Sequence, residues 1–307
     1  MTRPSLFVAV LNWNSGEAAA ACVRSVRAAA AGIDARIVVV DNASSDDSLL
    51  HVRQLDDAPD ILQTGENAGY AGGMRRAVEY WLRSGPETFG LLLTQDVEFR
   101  PDALGRLLST ALENPKFGIV GPLICEREST DVFSAGGIVV HGSARVRQLS
   151  RPRSTDQPYE LDWVDGCALL VRREVAEQFA FDERYFMYFE EVDLCVRAGQ
   201  AGWRIAVEPR SVVTQSKPEL PGPHYFFYNT RNRFLFWEKN YGYGFTRVLG
   251  SVMLETAGLA FWCVRGVARP ACWSELPLRF QRLGRQVAGA GKGVRAWIRG
   301  NSGIMPQ

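Results

Sequence analysis

Within the first 125 residues, five short strand-like runs alternate with four helix-like ones. The strand patterns are Leu6–Leu11, Arg36–Asp41, Asp60–Gln63, Phe89–Leu93 and Gly118–Pro122. Between them lie helix patterns at Gly16–Ala31, Ser48–Leu55, Gly73–Ser84 and Ala103–Glu113. Ser15 is expected to cap the first. In the third, Ala77, Val78, Trp81 and Leu82 form an apolar stripe at helical spacing. Repeated strand–helix units imply a largely parallel sheet with right-handed crossovers and helices on its faces. Val38–Val40 and Leu91–Leu93 are unbroken apolar runs, as expected of strands buried on both sides. In such sheets, ligands bind in the crevice outside the carboxyl edges of the strands.

Those edges carry polar clusters. The apolar run from Gly90 ends at Thr94-Gln95-Asp96. A carboxylate there can hold a divalent cation against a diphosphate; the plain alternative is a loop or capping aspartate. Strand two ends at Asp41-Asn42-Ala43-Ser44-Ser45-Asp46-Asp47. Asp41 there can accept an N–H from a nucleobase, while Ser45 or Asp46 can simply cap the next helix. Thr64-Gly65-Glu66-Asn67-Ala68-Gly69-Tyr70-Ala71-Gly72-Gly73 leads into a helix, whose N-terminus favours anions. It lacks the Lys-Ser/Thr ending of a phosphate-binding P-loop. Arg75 and Arg76 follow it and can face phosphate. Finally, Glu190, Glu191 and Asp193 fall within four positions among Phe186, Tyr188 and Phe189. Clustered charge and apolar surroundings raise carboxyl pKa values, as a general base needs. A helix N-terminus rich in acids explains the two glutamates equally well, but not the aromatic residues.

The chain of 307 residues is long enough for one large domain with appendages or two modest ones. Its net charge of +1 gives no argument for nucleic acid. From Arg265 onward, seven Arg and one Lys face the single acid Glu275, so residues 1–264 carry −6. A basic tail on an acidic body suggests an anionic lipid surface; a solvated helical face is the alternative. Phe245–Val267 is helical in pattern, and only Glu255 interrupts its apolar stretch. Seventeen residues between Arg247 and Arg265 are marginal for a span, so an interfacial or packing helix is expected. The six cysteines have neither paired nor metal-ligand spacing and read as buried small hydrophobes in a reducing compartment. The apolar run at Leu6–Leu11 is too short for a signal peptide. Arg145–Gln157 is polar and is expected to be a loop. We place a catalytic domain at 1–240, with a donor half to about 125 and an acceptor half beyond it. A basic helical extension occupies 241–307.

Taken together, strand–Asp41-Asn42, Asn67-x-Gly69, Asp96, Gly166 and Glu190-Glu191-x-Asp193-Leu194 resemble the family 2 inverting glycosyltransferases, in particular their rhamnosyltransferase-like branch. The resemblance covers roughly 5–240 and is most specific at Val39–Ser48 and Phe181–Arg197. It implies the GT-A fold, an α/β sheet of mostly parallel, Rossmann-like design. It assigns the donor nucleotide to Asn12, Asp41, Asn42, Asn67, Gly69, Arg75, Gln95 and Asp96. It places Mg²⁺ or Mn²⁺ on Asp96 with Gln215, and the acceptor beside Asp165, Gly166 and Cys167. It makes Glu191 the catalytic base, with Glu190 and Asp193 beside it. Two positions depart from the family pattern: Thr94 stands where an Asp or Asn is usual, and Gln215 where a histidine is common. Both lower the expected metal affinity, with arginines sharing the leaving-group charge. The resemblance further implies a dTDP-rhamnose, other dTDP-hexose or UDP-hexose donor, and a cell-surface glycan, glycolipid or secondary-metabolite acceptor. The expected location is the cytoplasm, peripheral to the membrane. Two other readings compete: a degenerate nucleotide-sugar-binding protein, and a nucleotidyltransferase. The latter's early phosphate loop is missing, with Asn12-Trp13-Asn14-Ser15-Gly16 in its place.

Overall fold

A computed structural model describes residues 5–129, 131–216, 220–267, 275–300 and 305. They form two compact units. The first comprises the described residues of Met1–Val139, Val146–Glu183 and Glu190–Lys217; the second, those of Val140–Arg145, Arg184–Phe189 and Pro218–Gln307.

The first unit is built on one sheet. Its strands are β1 (Ser5–Asn12), β2 (Asp34–Asp41), β3 (Asp60–Gln63), β4 (Phe89–Thr94), β5 (Val97–Phe99), β6 (Phe117–Glu126), β7 (Val132–Ser134), β10 (Tyr159–Leu161), β11 (Ala168–Arg172) and β12 (Arg204–Gln215). A separate ribbon pairs β8 (Gly137–Val140) with β9 (Arg145–Gln148). The main order is β10-β12-β6-β11-β4-β1-β2-β3, with β5 pairing β12 and β7 pairing β6. Pairings β3-β2-β1-β4 and β6-β12 are parallel, while β11 runs antiparallel between β4 and β6. Six of the eight strands on that path therefore point one way, as expected. β1 and β4 are buried almost throughout and β2 is buried from Ile37 to its end, which accounts for the unbroken apolar runs Val38–Val40 and Leu91–Leu93.

Helices α1 (Gly16–Ala29), α2 (Ser48–Arg53), α3 (Gly69–Ser84), α4 (Ala103–Glu113), α5 (Arg173–Gln178) and α6 (Glu190–Gln200) complete this unit. α1 and α4 contribute Ala19, Cys22, Val23, Val26, Leu104, Leu107 and Leu108 to the core with Val8, Val10, Leu91 and Leu93. Three expectations need correction. Ser15 precedes α1 but makes no capping hydrogen bond through its side chain. α3 begins four residues earlier than expected, at Gly69, because the glycine-rich loop itself coils into the helix. Residues 145–157 are not all loop, since Arg145–Gln148 pairs as β9. All five described cysteines are buried free thiols; Cys272 lies outside the described residues.

The second unit contains α7 (Pro223–Tyr241), α8 (Phe245–Val267) and α9 (Leu276–Ile298). The aromatic α7, expected to close the catalytic part, belongs to this unit because it packs along α9. Gly289 and Gly293 make that approach possible. A Cβ at Gly289 would lie 2.4 Å from the Phe226 Cβ, and one at Gly293 would lie 2.8 Å from the Phe227 carbonyl oxygen. The short segment Arg184–Phe189 also belongs here and holds Phe186, Tyr188 and Phe189 at positive φ, which bulky residues seldom adopt. Buried Asn232 restrains it: Nδ2 donates to the carbonyls of Tyr185 (2.9 Å), Met187 (2.8 Å) and Tyr188 (2.7 Å). Its Oδ1 accepts from the Arg231 guanidinium, which also donates to the carbonyls of Arg184 and Tyr185.

Candidate active site

Within the first unit, the chain runs outward from β1 through β2 to β3, then restarts at β4 on the other side of β1. This reversal opens a crevice at the carboxyl ends of the strands. Register decides what meets there. Asn12 lies opposite Asp41, and Leu11 opposite Thr94. The Thr94 N–H donates to the Cys167 carbonyl at 3.0 Å, which brings 165–167 alongside. Gln215, the last residue of β12, sits opposite Val97. Residues spread over 200 positions thus converge on one sheet edge.

On the donor side, Asp41 is buried and accepts from the Asn12 amide (3.3 Å) and the Ser44 N–H (3.3 Å). Asn12 also donates to Ser44 Oγ, while its own Oδ1 is buried with no hydrogen-bond partner among the described residues. A buried acceptor left open is costly unless a donor arrives. Asn42 and Asn67 brace the glycine-rich loop. Asn42 donates to Asn67 Oδ1 (3.1 Å) and the Gly69 carbonyl (3.0 Å), and accepts from the Ala68 N–H (3.2 Å). Asn67 Oδ1 accepts from the Gly69 N–H (3.0 Å). Arg75, expected near the phosphates, is engaged by Glu79 at 2.9 Å and lies 3.9 Å from Glu183. Arg76 binds the Thr64 carbonyl and Glu66. Neither Ser45 nor Asp46 caps α2: its N-cap position is Asp47, which makes no capping hydrogen bond through its side chain, and Asp46 accepts from the Ser48 N–H at 3.0 Å in the turn that precedes the helix.

Asp96 is held from two sides. Thr94 Oγ1 donates to its Oδ1 at 2.6 Å, and Gln215 Nε2 to its Oδ2 at 2.9 Å. Arg127 donates to its backbone carbonyl at 2.8 Å. Gln95 occupies the turn beside it. The two positions that depart from the family pattern are therefore the two that clamp Asp96. Among the described residues, no group of three or more His, Cys, Asp or Glu is placed to hold a metal ion. One carboxylate with a hydroxyl and an amide oxygen is nonetheless a hard-cation donor set. It suits Mg²⁺ or Mn²⁺ when substrate phosphates complete the shell.

The acids of α6 stand across from these groups. Glu191 follows Glu190 at the helix start, and its Oε2 is buried with no hydrogen-bond partner among the described residues. Burial first, then the charges of Glu190 and Asp165, push its carboxyl well above the usual range. Asp165 is also raised, chiefly by burial, although its Oδ1 accepts the Cys167 N–H at 3.1 Å; the Asp96 charge adds to the rise. Burial, aided by Asp165 and Asp96, keeps the Cys167 thiol protonated. Gly166 gives room for the base: an added Cβ would lie 3.4 Å from both Cβ and Cγ of Glu191 and from the Tyr70 hydroxyl. Tyr70 donates to the Gly166 carbonyl. Its phenol is raised by burial and by the carboxylates of Glu190 and Glu191, so it stays a donor. Tyr70 escaped the sequence reading, where its only signal was a place in the Asn-Ala-Gly-Tyr loop. Asp193, grouped with the two glutamates from sequence, is wholly buried and committed to Arg197 at 2.7 Å, an i,i+4 pair on its own helix.

An open sheet with carboxylates at its switch point, and a buried glutamate oxygen without a partner among the described residues beside Gly166, is the setting of a ligand-binding crevice. Solved structures share the fold. A mannosyltransferase of Pyrobaculum calidifontis, in complex with GDP-Man and Mn²⁺, aligns over 96% of this chain and 88% of its own at TM-score 0.63 and 14% identity. The Staphylococcus aureus protein TarS 1-349 aligns over 95% and 83% at TM-score 0.53. These likenesses establish the GT-A fold. Residues 4–233 match the family described as "Glycosyltransferase like family 2". The chain belongs to that family and is a glycosyltransferase. Its relatives include the N-acetylglucosaminyl-diphospho-decaprenol L-rhamnosyltransferase of Mycobacterium tuberculosis, 29% identical over 214 residues, 61% of this chain and 68% of the relative. The low-salt glycan biosynthesis hexosyltransferase Agl10 of Haloferax volcanii is 28% identical over 199 residues, 63% of this chain and 61% of its own.

Proposed function

We propose that this protein moves a hexose, with L-rhamnose from a dTDP-linked donor the leading choice, onto a hydroxyl of a lipid-linked glycan, with inversion. The observation that carries the reading is Glu191. It is a partly buried carboxylate with an unsatisfied oxygen and a raised pKa, at the start of α6 against Gly166 and under the charge of Asp165. The Mycobacterium relative's name supports the choice of sugar and of a lipid-linked acceptor.

Glu191 takes the proton from the acceptor hydroxyl. The oxygen bonds to the anomeric carbon from the face opposite the nucleotide. The bond to the diphosphate breaks, and the diphosphate leaves with the electron pair. Asp41 and the open acceptor of Asn12 hold the base, and the loop braced by Asn42 and Asn67 closes around the donor. Asp96, with Gln215 and Thr94, would hold Mg²⁺ or Mn²⁺, which supplies charge neutralisation for the leaving diphosphate. Positioning and electrostatics carry most of the acceleration.

A thermal-shift screen with dTDP, UDP, GDP and their sugars tests the donor. A nucleotide at 100 times its Kd stabilises by about 2.7 kcal/mol, or roughly 5–10 °C for a domain of this size. We expect this with dTDP or UDP, and its loss in Asp41→Ala. If no nucleotide stabilises the protein, the reading fails. If a nucleotide sugar binds but neither transfer nor hydrolysis follows, the protein is a carrier.

The cation is tested in the same assay. Mn²⁺ should add to the shift given by the nucleotide, and Asp96→Asn should erase that increment while the ligand-free melting temperature holds. Asparagine keeps hydrogen-bonding capacity toward Thr94 and Gln215 but loses the charge. An undiminished Mn²⁺ increment in the variant would remove Asp96 from the cation's shell.

A further inference from the structure

Within the second unit, α8 is unevenly covered. Val248, Ser251, Val252 and Cys263 are buried on one side. Glu255, its one acid, is turned to that same side and paired with Arg233 of α7 at 2.7 Å, with Arg145 at 4.0 Å. The opposite side is open. Met253, Leu254, Phe261 and Val264 are 63%, 70%, 66% and 65% exposed and recur at helical spacing with Gly250 and Ala257. Arg247 and Arg265 stand at the two ends of this face. By length and composition Phe245–Arg265 is apolar enough to cross a membrane, with mean hydropathy 1.3. The single paired flank, however, is that of a helix with protein on one side.

The neighbouring α9 repeats the pattern with charge added. Phe280, Gly284, Val287, Gly291, Val294 and Ile298 follow the i, i+4, i+7 spacing of one stripe. Phe280, Val287 and Ile298 are about half exposed or more. Lys292, Arg295 and Arg299 lie on the adjoining flank, exposed and without an ion pair among the described residues. α9 itself contains no acid, and Glu275 just before it is held by Arg279 at 2.6 Å. Open apolar stripes, cations beside them, and Glu255 and Glu275 each held by an arginine do not suit water. They suit an interface with hydrocarbon beneath and anionic headgroups around.

We propose that the exposed faces of α8 and α9 dock this protein on the surface of an anionic phospholipid bilayer, lying in the headgroup region rather than spanning it. Apolar side chains enter the acyl boundary, while Arg247, Arg265, Lys292, Arg295 and Arg299 meet lipid phosphates. This inference is independent of the sugar transferred. It commits to lipid rather than a second copy of the chain, because a self-pairing face with this charge would place like cations together.

Flotation of the full chain with vesicles tests it. We expect recovery with phosphatidylcholine vesicles containing phosphatidylglycerol, weak recovery with phosphatidylcholine alone, and release by alkaline carbonate. The substitutions Leu254→Glu and Phe261→Glu should each lower partition about tenfold or more, given the apolar area withdrawn. Lys292→Ala, Arg295→Ala and Arg299→Ala should each lower it about fivefold at low salt and less at high salt. These neutral changes on exposed positions leave the melting temperature as a check of folding. No vesicle binding, or equal binding by all variants, overturns the proposal. So does a dimer in solution that the same substitutions dissolve, or protein that resists carbonate, which would make α8 a span.

Discussion

Glu191→Gln is expected to abolish sugar transfer while leaving nucleotide-sugar binding in place. The amide keeps the size and the contacts with Gly166 but cannot accept a proton. General-base catalysis contributes roughly 10²–10⁴-fold, and that is the expected loss in kcat with little change in the binding shift. Equal losses in binding and turnover would show that Glu191 holds the site together rather than acting in it. The pH dependence follows from the same environment. Glu191 must be ionised to work, so activity falls as pH drops through its pKa. Burial, Glu190 and Asp165 raise that pKa, so the acidic limb should lie above the ordinary carboxylate range. Glu190→Gln removes the second-ranked cause and should move the limb to lower pH. Stability has its own sign. With a folded pKa above the unfolded one, the protonated form favours folding at low pH. That stabilising contribution is lost as pH rises through the folded pKa. Glu191→Gln should therefore raise the melting temperature most at neutral and alkaline pH, and melting curves at acid and alkaline pH measure it.

The largest loss of stability is expected at Asn232. Its amide serves the buried Tyr185 carbonyl and the half-buried carbonyls of Met187 and Tyr188, in a segment whose Phe186, Tyr188 and Phe189 sit at positive φ. Asn232→Leu matches the volume and removes every donor. The Tyr185 carbonyl keeps the Arg231 guanidinium, so the loss falls on the half-buried carbonyls of Met187 and Tyr188 and on the Arg231 donors left without Oδ1. At about 1–3 kcal/mol for an unsatisfied buried group, partly relieved by water, the expected total is roughly 2–4 kcal/mol. Asn232→Asp keeps the acceptor for Arg231 but loses the N–H donors and sets an anion against those carbonyls, so it should also destabilise at neutral pH and recover in part when acid protonates it. Chemical denaturation of both variants checks the pair. A loss below about 1 kcal/mol in each would mean that α7 packing alone holds the segment.

None of this was readable at Asn232 before folding. It appears in sequence as one polar residue inside Asn229-Thr230-Arg231-Asn232-Arg233, a break in an aromatic run. The carbonyls it serves lie more than 40 positions earlier. The strands and helices of the first 125 residues were legible because their periodicity is local: β3 and α4 have the expected bounds, and α1, α2 and β4 differ by one or two residues. Further on, α8 too has the expected bounds. Helix α3 was misread at its start because glycine codes for loop and for tight helix entry alike. The strand β9 was missed because a polar, Arg-rich segment owes its pairing to β8 rather than to its own pattern.

The candidate site divides along the same line. Asp41, Asp96 and Glu191 were legible as acids at strand or helix ends. Their partners were not. Thr94 and Gln215 looked like losses to a metal site, yet the sheet brings both onto Asp96 as donors. Arg75 looked free for phosphate, yet Glu79 one turn away engages it. Asn42 and Asn67 looked like ligand contacts, and in the folded chain they tie the loop to the strand.

By itself, the sequence determined the alternation that builds the sheet, the acids at its carboxyl edge, and an apolar helix with basic residues beyond it. These depend on spacing within one element, which a 3.6- or 2-residue period records directly. Tertiary structure alone decided which acid keeps an unsatisfied oxygen, which cations are already paired, and which side of α8 is left bare. Those outcomes depend on groups brought together across the chain, and their burial and charge exist only once the chain has folded.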